Sequence, residues 1–214
     1  MSSTKKTTKE KILEALKINV SLTVMDLTYR LNITHMAVRK HLSALEKDQL
    51  IQSKEVKQPI GRPLQLYTLS SKGESWFPNN YEGISVELLH DIQQLYGEES
   101  IEHLFKKREQ RLTSEYKKRV QEKTKPERIY ELATIQNEKG YMTDVNQIDD
   151  QTYELIEHNC PIFTIANEFK TACHFETAMF KNVVGTEEVN RVSCKTAGDD
   201  HCKFLFKVEK EDRL

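Results

Sequence analysis

Nowhere does this 214-residue chain approach the roughly 18 consecutive apolar residues of a membrane span, so no spanning helix and no membrane partner is expected. The opening residues, MSSTKKTTKEK, lack the apolar core of a secretory signal, and a cytoplasmic location is expected. Seven glycines leave little scope for phosphate-cradling loops. None of G-x-S-x-G, a Walker loop, a Rossmann fingerprint or H-E-x-x-H occurs, and no enzyme is expected. The four cysteines contain no C-x-x-C pair, which excludes the common zinc-ribbon and thioredoxin signatures. In a cytoplasmic compartment structural disulfides are not expected, leaving buried thiols, metal ligands or redox groups. An excess of one charge is missing as well, but the total of −1 is uneven along the chain. Residues 1–75 hold 13 Lys and Arg against 7 Asp and Glu, and the rest hold 19 against 26. A basic front and an acidic back are expected where only the front meets phosphate, although charge runs also mark ordinary solvated faces.

What is present centres on Thr34–Leu50. Thr34 suits a helix cap. Behind it Val38, Leu42 and Leu45, with Met36 or Ala37, fall on one apolar stripe, while His35, Arg39, Lys40 and Ser43 share the opposite face. An ordinary amphipathic surface helix reads the same way, so the neighbours decide. Val24–Leu31 makes a second short amphipathic helix, and so tight a junction implies a helix-turn-helix. Downstream, IQSKEV and PLQLYTLS alternate as strands around the turn KQPIGRP, with Arg62 at its tip. The order is that of a winged helix. It predicts binding of double-stranded DNA through Thr34, His35, Met36, Arg39, Lys40, Ser43 and Arg62, with the helix in the major groove.

The expected fold class is α+β in three parts: a winged helix-turn-helix domain (1–77), a helical linker and dimerisation region (78–140), and a cysteine-containing α+β sensor domain (141–214). Residues 1–8 are polar and expected to be disordered. Thr8–Ile18 predicts the first helix, with Ile12, Leu13 and Leu16 inward. Trp76 and Phe77 are expected to pack, and Pro78 to Gly83 mark the boundary. A charged helix from about Glu98 to Lys123 carries Ile101, Leu104, Phe105, Leu112, Tyr116 and Val120. Such a thin stripe suits a partner subunit or its own domain equally. Another helix runs from Pro126 to Gly140. Beyond it, TDVNQID, TYELIEHNCPI, VNRVSCKTA and HCKFLFKV read as strands, and residues 163–185 as one helix.

Cys160 before Pro161, Cys173 in ACHFE, Cys194 in RVSC and Cys202 in DDHC read first as small buried thiols. Strand ends beside a helix can also converge, and soft thiolates select iron–sulfur clusters or zinc. His158, His174, His201, Glu176 or a small molecule are available to complete a ligand set.

The helix-turn-helix with its GRP wing, followed by HNCPI, CHFETAMF, NVVG, RVSC and GDDHCKFLF, resembles the SufR-type iron–sulfur repressors, a DeoR- or ArsR-like branch of winged-helix regulators. The resemblance covers roughly residues 8–207 and is weakest in the middle helices. It implies a homodimeric repressor of cluster-assembly genes, with an iron–sulfur cluster in the C-terminal domain, and the two-fold symmetry of a dimer then predicts a pseudo-palindromic operator. It implies Cys160 and Cys173 as the C-x12-C ligands and Cys202 as the last, with 4Fe–4S preferred to 2Fe–2S. Where some members carry a further cysteine this chain has Glu187, and Cys194 lies seven residues later, so Cys194 is set outside the ligand set. The alternative is a winged-helix regulator that senses a small organic ligand or zinc.

Overall fold

Thr7 opens the first helix: its hydroxyl accepts the Glu10 N–H while the Glu10 carboxylate accepts the Thr7 N–H, a reciprocal cap. This computed structural model describes residues 6–59 and 61–208. The helix thus begins at Thr8, as the expected helix Thr8–Ile18 has it, and Thr7, within the stretch expected to be disordered, is its cap. Residues 1–5 of that expectation lie outside the described residues. The chain divides between Asn79 and Asn80 into two units.

The first unit runs α1 (Thr8–Asn19), β1 (Ser21–Leu22), α2 (Val24–Leu31), α3 (His35–Lys47), β2 (Ile51–Val56), β3 (Leu64–Leu69) and α4 (Ser71–Glu74). Its sheet has the order β1-β3-β2, all antiparallel. Thr23 and Asp26 repeat the reciprocal cap at α2. Asn32, in the left-handed region at φ 52°, turns the chain into α3, a conformation asparagine tolerates better than most residues. Ile12, Leu13, Leu16, Leu27, Val38, Leu42 and Leu45 close one core beneath the sheet, and Phe77 packs against it. Trp76 meets Phe77 edge to face and stays partly exposed. Gly73 is obligatory in α4, since a Cβ there would land on the Leu50 carbonyl oxygen. Helix, strand, two helices and a hairpin in this order form a winged helix-turn-helix.

The second unit holds α5 (Tyr81–Tyr96), α6 (Glu98–Val120), α7 (Lys125–Glu138), β4 (Thr143–Gln147), β5 (Thr152–Glu157), α8 (Phe163–Glu168), α9 (Thr171–Val184), β6 (Val189–Ser193), a 3-10 turn (Lys195–Ala197) and β7 (Cys202–Lys207). The sheet order is β4-β5-β7-β6, antiparallel throughout, so the fold is α+β as expected. The α6 stripe packs within its own unit. Leu112, Tyr116 and Val120 join Ile129, Leu132, Phe180, Val183, Phe204 and Phe206 in one core. Ile101 and Phe105 join a smaller one with Ala166, Phe169 and Ala172, while Leu104 is partly exposed. Helices expected as a separate linker thus share a core with the sensor sheet. No helix among the described residues is long and apolar enough to cross a membrane.

Two local expectations change. Residues 163–185 are two helices, because Phe169 leaves helical geometry (φ −116°, ψ 83°) to bury its ring in the smaller core. The strand VNRVSCKTA stops at Ser193, and its continuation tightens into the 3-10 turn.

Candidate functional site

In the first unit the amphipathic pattern of α3 places Val38, Leu42 and Leu45 inward and leaves Thr34, His35, Met36, Arg39, Lys40 and Ser43 exposed. The Thr34 hydroxyl accepts the Ala37 N–H at 3.2 Å, fixing the first turn. Met36 is 77% exposed, although it is a large apolar side chain. Arg62 is exposed beside Gly61, whose φ of 104° is the left-handed region that a tight wing tip requires. Ile60, inside that tip, lies outside the described residues. All seven sequence-predicted contacts therefore face solvent, six of them from one helix and its cap.

In the second unit the thiols come from four places. Cys160 lies three residues beyond β5, its carbonyl accepting the Phe163 N–H at 3.1 Å. Cys173 sits in the first turn of α9, not mid-helix, because of the break at Phe169. Cys194 follows β6, and Cys202 opens β7. The sulfurs of Cys173 and Cys194 are 3.9 Å apart, and the Thr196 hydroxyl stands 3.2 Å from Cys194 and 3.7 Å from Cys173.

Arg191 ties the group together. Its Nη1 donates toward Cys202 at 3.4 Å and Cys194 at 3.7 Å. Its Nη2 donates to the Glu176 carboxylate at 2.8 Å and to the Cys173 carbonyl at 3.0 Å, and the guanidinium lies over the Phe204 ring. The Lys195 N–H also points at Cys202, at 3.4 Å. At Cys160 burial pushes the thiol up to about 11, with the charges of Glu176 and Cys173 adding to the shift.

The thiols differ in acidity. Burial pushes Cys202 up to about 12, against the pull of the Lys195 N–H and Arg191. Burial also raises Cys173. At Cys194 burial acts upward too, but hydrogen bonds from Thr196, the Arg191 charge and the Cys173 contact outweigh it and bring the thiol down to about 7. Cys194 is thus the most readily ionised member, in the cationic surroundings that characterise reactive thiols.

Glu176, considered as a further ligand, is occupied by Arg191. His158 pairs with Asp144 at 2.9 Å, His201 lies 6.1 Å from His158 ring to ring, and His174 packs on Phe175. Among the described residues no group of three or more His, Cys, Asp or Glu is close enough for a lone metal ion. Instead the Cys194 and Cys202 sulfurs stand beside the Arg191 guanidinium, with the Cys173 sulfur next to that of Cys194. Thiolates are the ligands that iron–sulfur groups take, and donors to the sulfurs stabilise such groups. Sequence reasoning set Cys194 apart and missed Arg191 and Thr196. In the structure Val189 is buried and Arg191 and Ser193 are half-buried, while Asn190 and Val192 face out.

No family model matches the chain, and no curated protein matches it. Among solved structures it is similar to adhesin competence repressor (AdcR) from Streptococcus pyogenes, at 21% identity over 46% of this chain and 73% of that one, TM-score 0.28. A mutant of ZitR from Lactococcus lactis matches at 22% identity over 54% of this chain and 79% of that one, TM-score 0.28. PadR from Bacillus subtilis, solved in complex with operator DNA, matches at 13% identity over 86% of this chain and 99% of that one, TM-score 0.30.

Proposed function

We propose that this chain is a DNA-binding transcriptional repressor, acting as a homodimer, whose operator affinity depends on an iron–sulfur cluster in its second unit. The reading rests on one observation: a solvent-facing cationic helix and wing share a chain with four cysteines, three of which group at the half-buried Arg191 head. Arg39, Lys40 and Ser43 present hydrogen-bonding groups of the kind that read base edges, and Arg62 is placed as a phosphate or minor-groove contact. Cys160, Cys173 and Cys202, now with Cys194, are the ligands proposed for the cluster, and Arg191 balances the negative charge of its thiolates. When bound, the cluster supplies a link among four elements that responds to iron and to oxidation. A 4Fe–4S form is preferred, and the proposed targets are cluster-assembly genes.

For such control the cluster must favour one arrangement of the dimer by a differential free energy, typically about 1–3 kcal/mol. The test is a titration of a selected palindromic operator with matched cluster-bound and cluster-free protein, at one fixed salt concentration. The cluster-bound dimer binds, and the cluster-free or oxidised form binds at least several-fold more weakly. Equal affinities, with both samples dimeric, rule out cluster-gated repression.

A further inference from the structure

A cavity of about 240 Å³ opens in the second unit, lined by residues of α6, α7, α9 and the turn after β5. Leu112, Tyr116 and Met179 supply apolar and aromatic lining. The one amide in the wall, Gln136, is committed: it accepts from the Tyr116 hydroxyl at 3.3 Å and donates to Glu157 at 2.8 Å. The interior therefore offers an apolar surface with its polar groups already paired.

Two further wall residues are cations. Arg108 and Arg111 are three residues apart on α6 and so share a helix face. Among the described residues neither side chain forms an ion pair or hydrogen bond, whereas the third cation, Lys139, is held by Glu115 at 3.3 Å. The remaining arginine of this helix, Arg119, is paired with Glu131 and Glu138 at 2.6 Å each. Two guanidiniums over an apolar hollow match an anion with an apolar body, and their planar forks match a carboxylate. Inorganic phosphate would leave the apolar lining unused. An apolar cavity near 150 Å³ takes benzene, so one of about 240 Å³ has room for a ring with a short acid arm.

We propose that this cavity binds a small organic carboxylate, its apolar body against Leu112, Tyr116 and Met179 and its carboxylate between Arg108 and Arg111. No thiol lines the cavity, so the site stands whether or not the chain holds a cluster.

The test is calorimetric titration of the full chain at low salt. Phenylacetate and hexanoate are the probes, 2-phenylethanol the neutral analogue, and inorganic phosphate the anion without an apolar body. Saturable one-to-one binding of at least one acid is expected, with both comparison compounds much weaker. Arg108→Gln and Arg111→Gln should each weaken the acid by about ten-fold or more, the loss of a charge-assisted contact. Lys117→Gln, which is exposed and outside the cavity wall, should not. Unchanged thermal melting of the two arginine variants shows that they remain folded. The proposal is overturned if neither acid saturates, if 2-phenylethanol or phosphate binds as tightly as the acids, or if folded arginine variants bind like the parent.

Discussion

Arg191 holds its guanidinium 3.4 Å from the sulfur of Cys202, a fixed positive charge against a thiol that burial keeps up at about 12. The same group neutralises Glu176, and both side chains of that ion pair are largely withdrawn from water. Arg191→Ala leaves the Glu176 carboxylate buried without a partner, and truncating one member of a buried pair costs about 3–5 kcal/mol. Urea unfolding of the cluster-free protein should show that loss. Arg191→Ala combined with Glu176→Gln should recover much of it. No recovery would place the cost in lost packing on Phe204 instead.

Cysteine replacement tests the thiol set. Serine at Cys160, Cys173 or Cys202 should abolish or destabilise the cluster, measured as iron and sulfide per chain after anaerobic reconstitution. The sequence expectation left Cys194→Ser harmless. With the Cys194 sulfur 3.9 Å from that of Cys173, the same loss is now expected there. Full iron content in Cys194→Ser would return it to the role of a neighbour.

On the DNA side, Arg39→Ala should relax sequence preference at a cost of about 1–3 kcal/mol if it reads a base edge. Arg62→Ala should weaken all sequences alike and flatten the salt dependence. Equal loss of specificity in both variants would refute this division of roles.

Gly73→Ala should destabilise the winged helix by about 1–3 kcal/mol, because the added carbon overlaps the Leu50 carbonyl. Gly61→Ala meets nothing within 4 Å and suffers only backbone strain at φ 104°. Thermal melting of the two should rank them in that order.

Glu157 gives a pH signature. Burial first, then the charge of Glu176, raises its carboxyl well above 4.5. Between the unfolded and folded values, unfolding releases a proton, so stability falls as pH rises and the loss is complete above the folded value. Glu157→Gln keeps an acceptor for the Gln136 N–H and cannot ionise. Its stability should gain on the parent as pH rises from about 5 to about 8, measured by urea midpoints. Parallel curves would mean that Glu157 ionises normally in the fold.

The winged helix was legible because Thr34, Val38, Leu42 and Leu45 repeat a cap and a period that only α3 satisfies. β1 was not: two residues carry no period, and Ser21 and Leu22 become a strand only by pairing with Thr68 and Tyr67. The break at Phe169 was hidden because apolar residues continue through it at helical spacing, and the ring that it meets, His90, lies far back in the chain on α5. Arg191 escaped notice because an arginine beside exposed Val192 reads as a solvent-facing pair. Which of the two turns inward is set by the β6–β7 register, with Arg191 opposite Phe204.

That register shifts between Arg191 and Ser193, where β6 holds one residue more than β7 answers. In an uninterrupted strand, residues an odd number apart look opposite ways, and Cys194 would turn its back on Arg191. The extra residue reverses that parity, as bulges do, and lets both side chains meet on one side. Removing Val192 would therefore take out the bulge without separating the pair: Arg191 and Cys194 would stand two residues apart in a regular strand, still on one face, whereas a residue added to a strand so regularised would turn them apart. The distance counted along the chain between these two residues is an address that can be read only with the irregularity included.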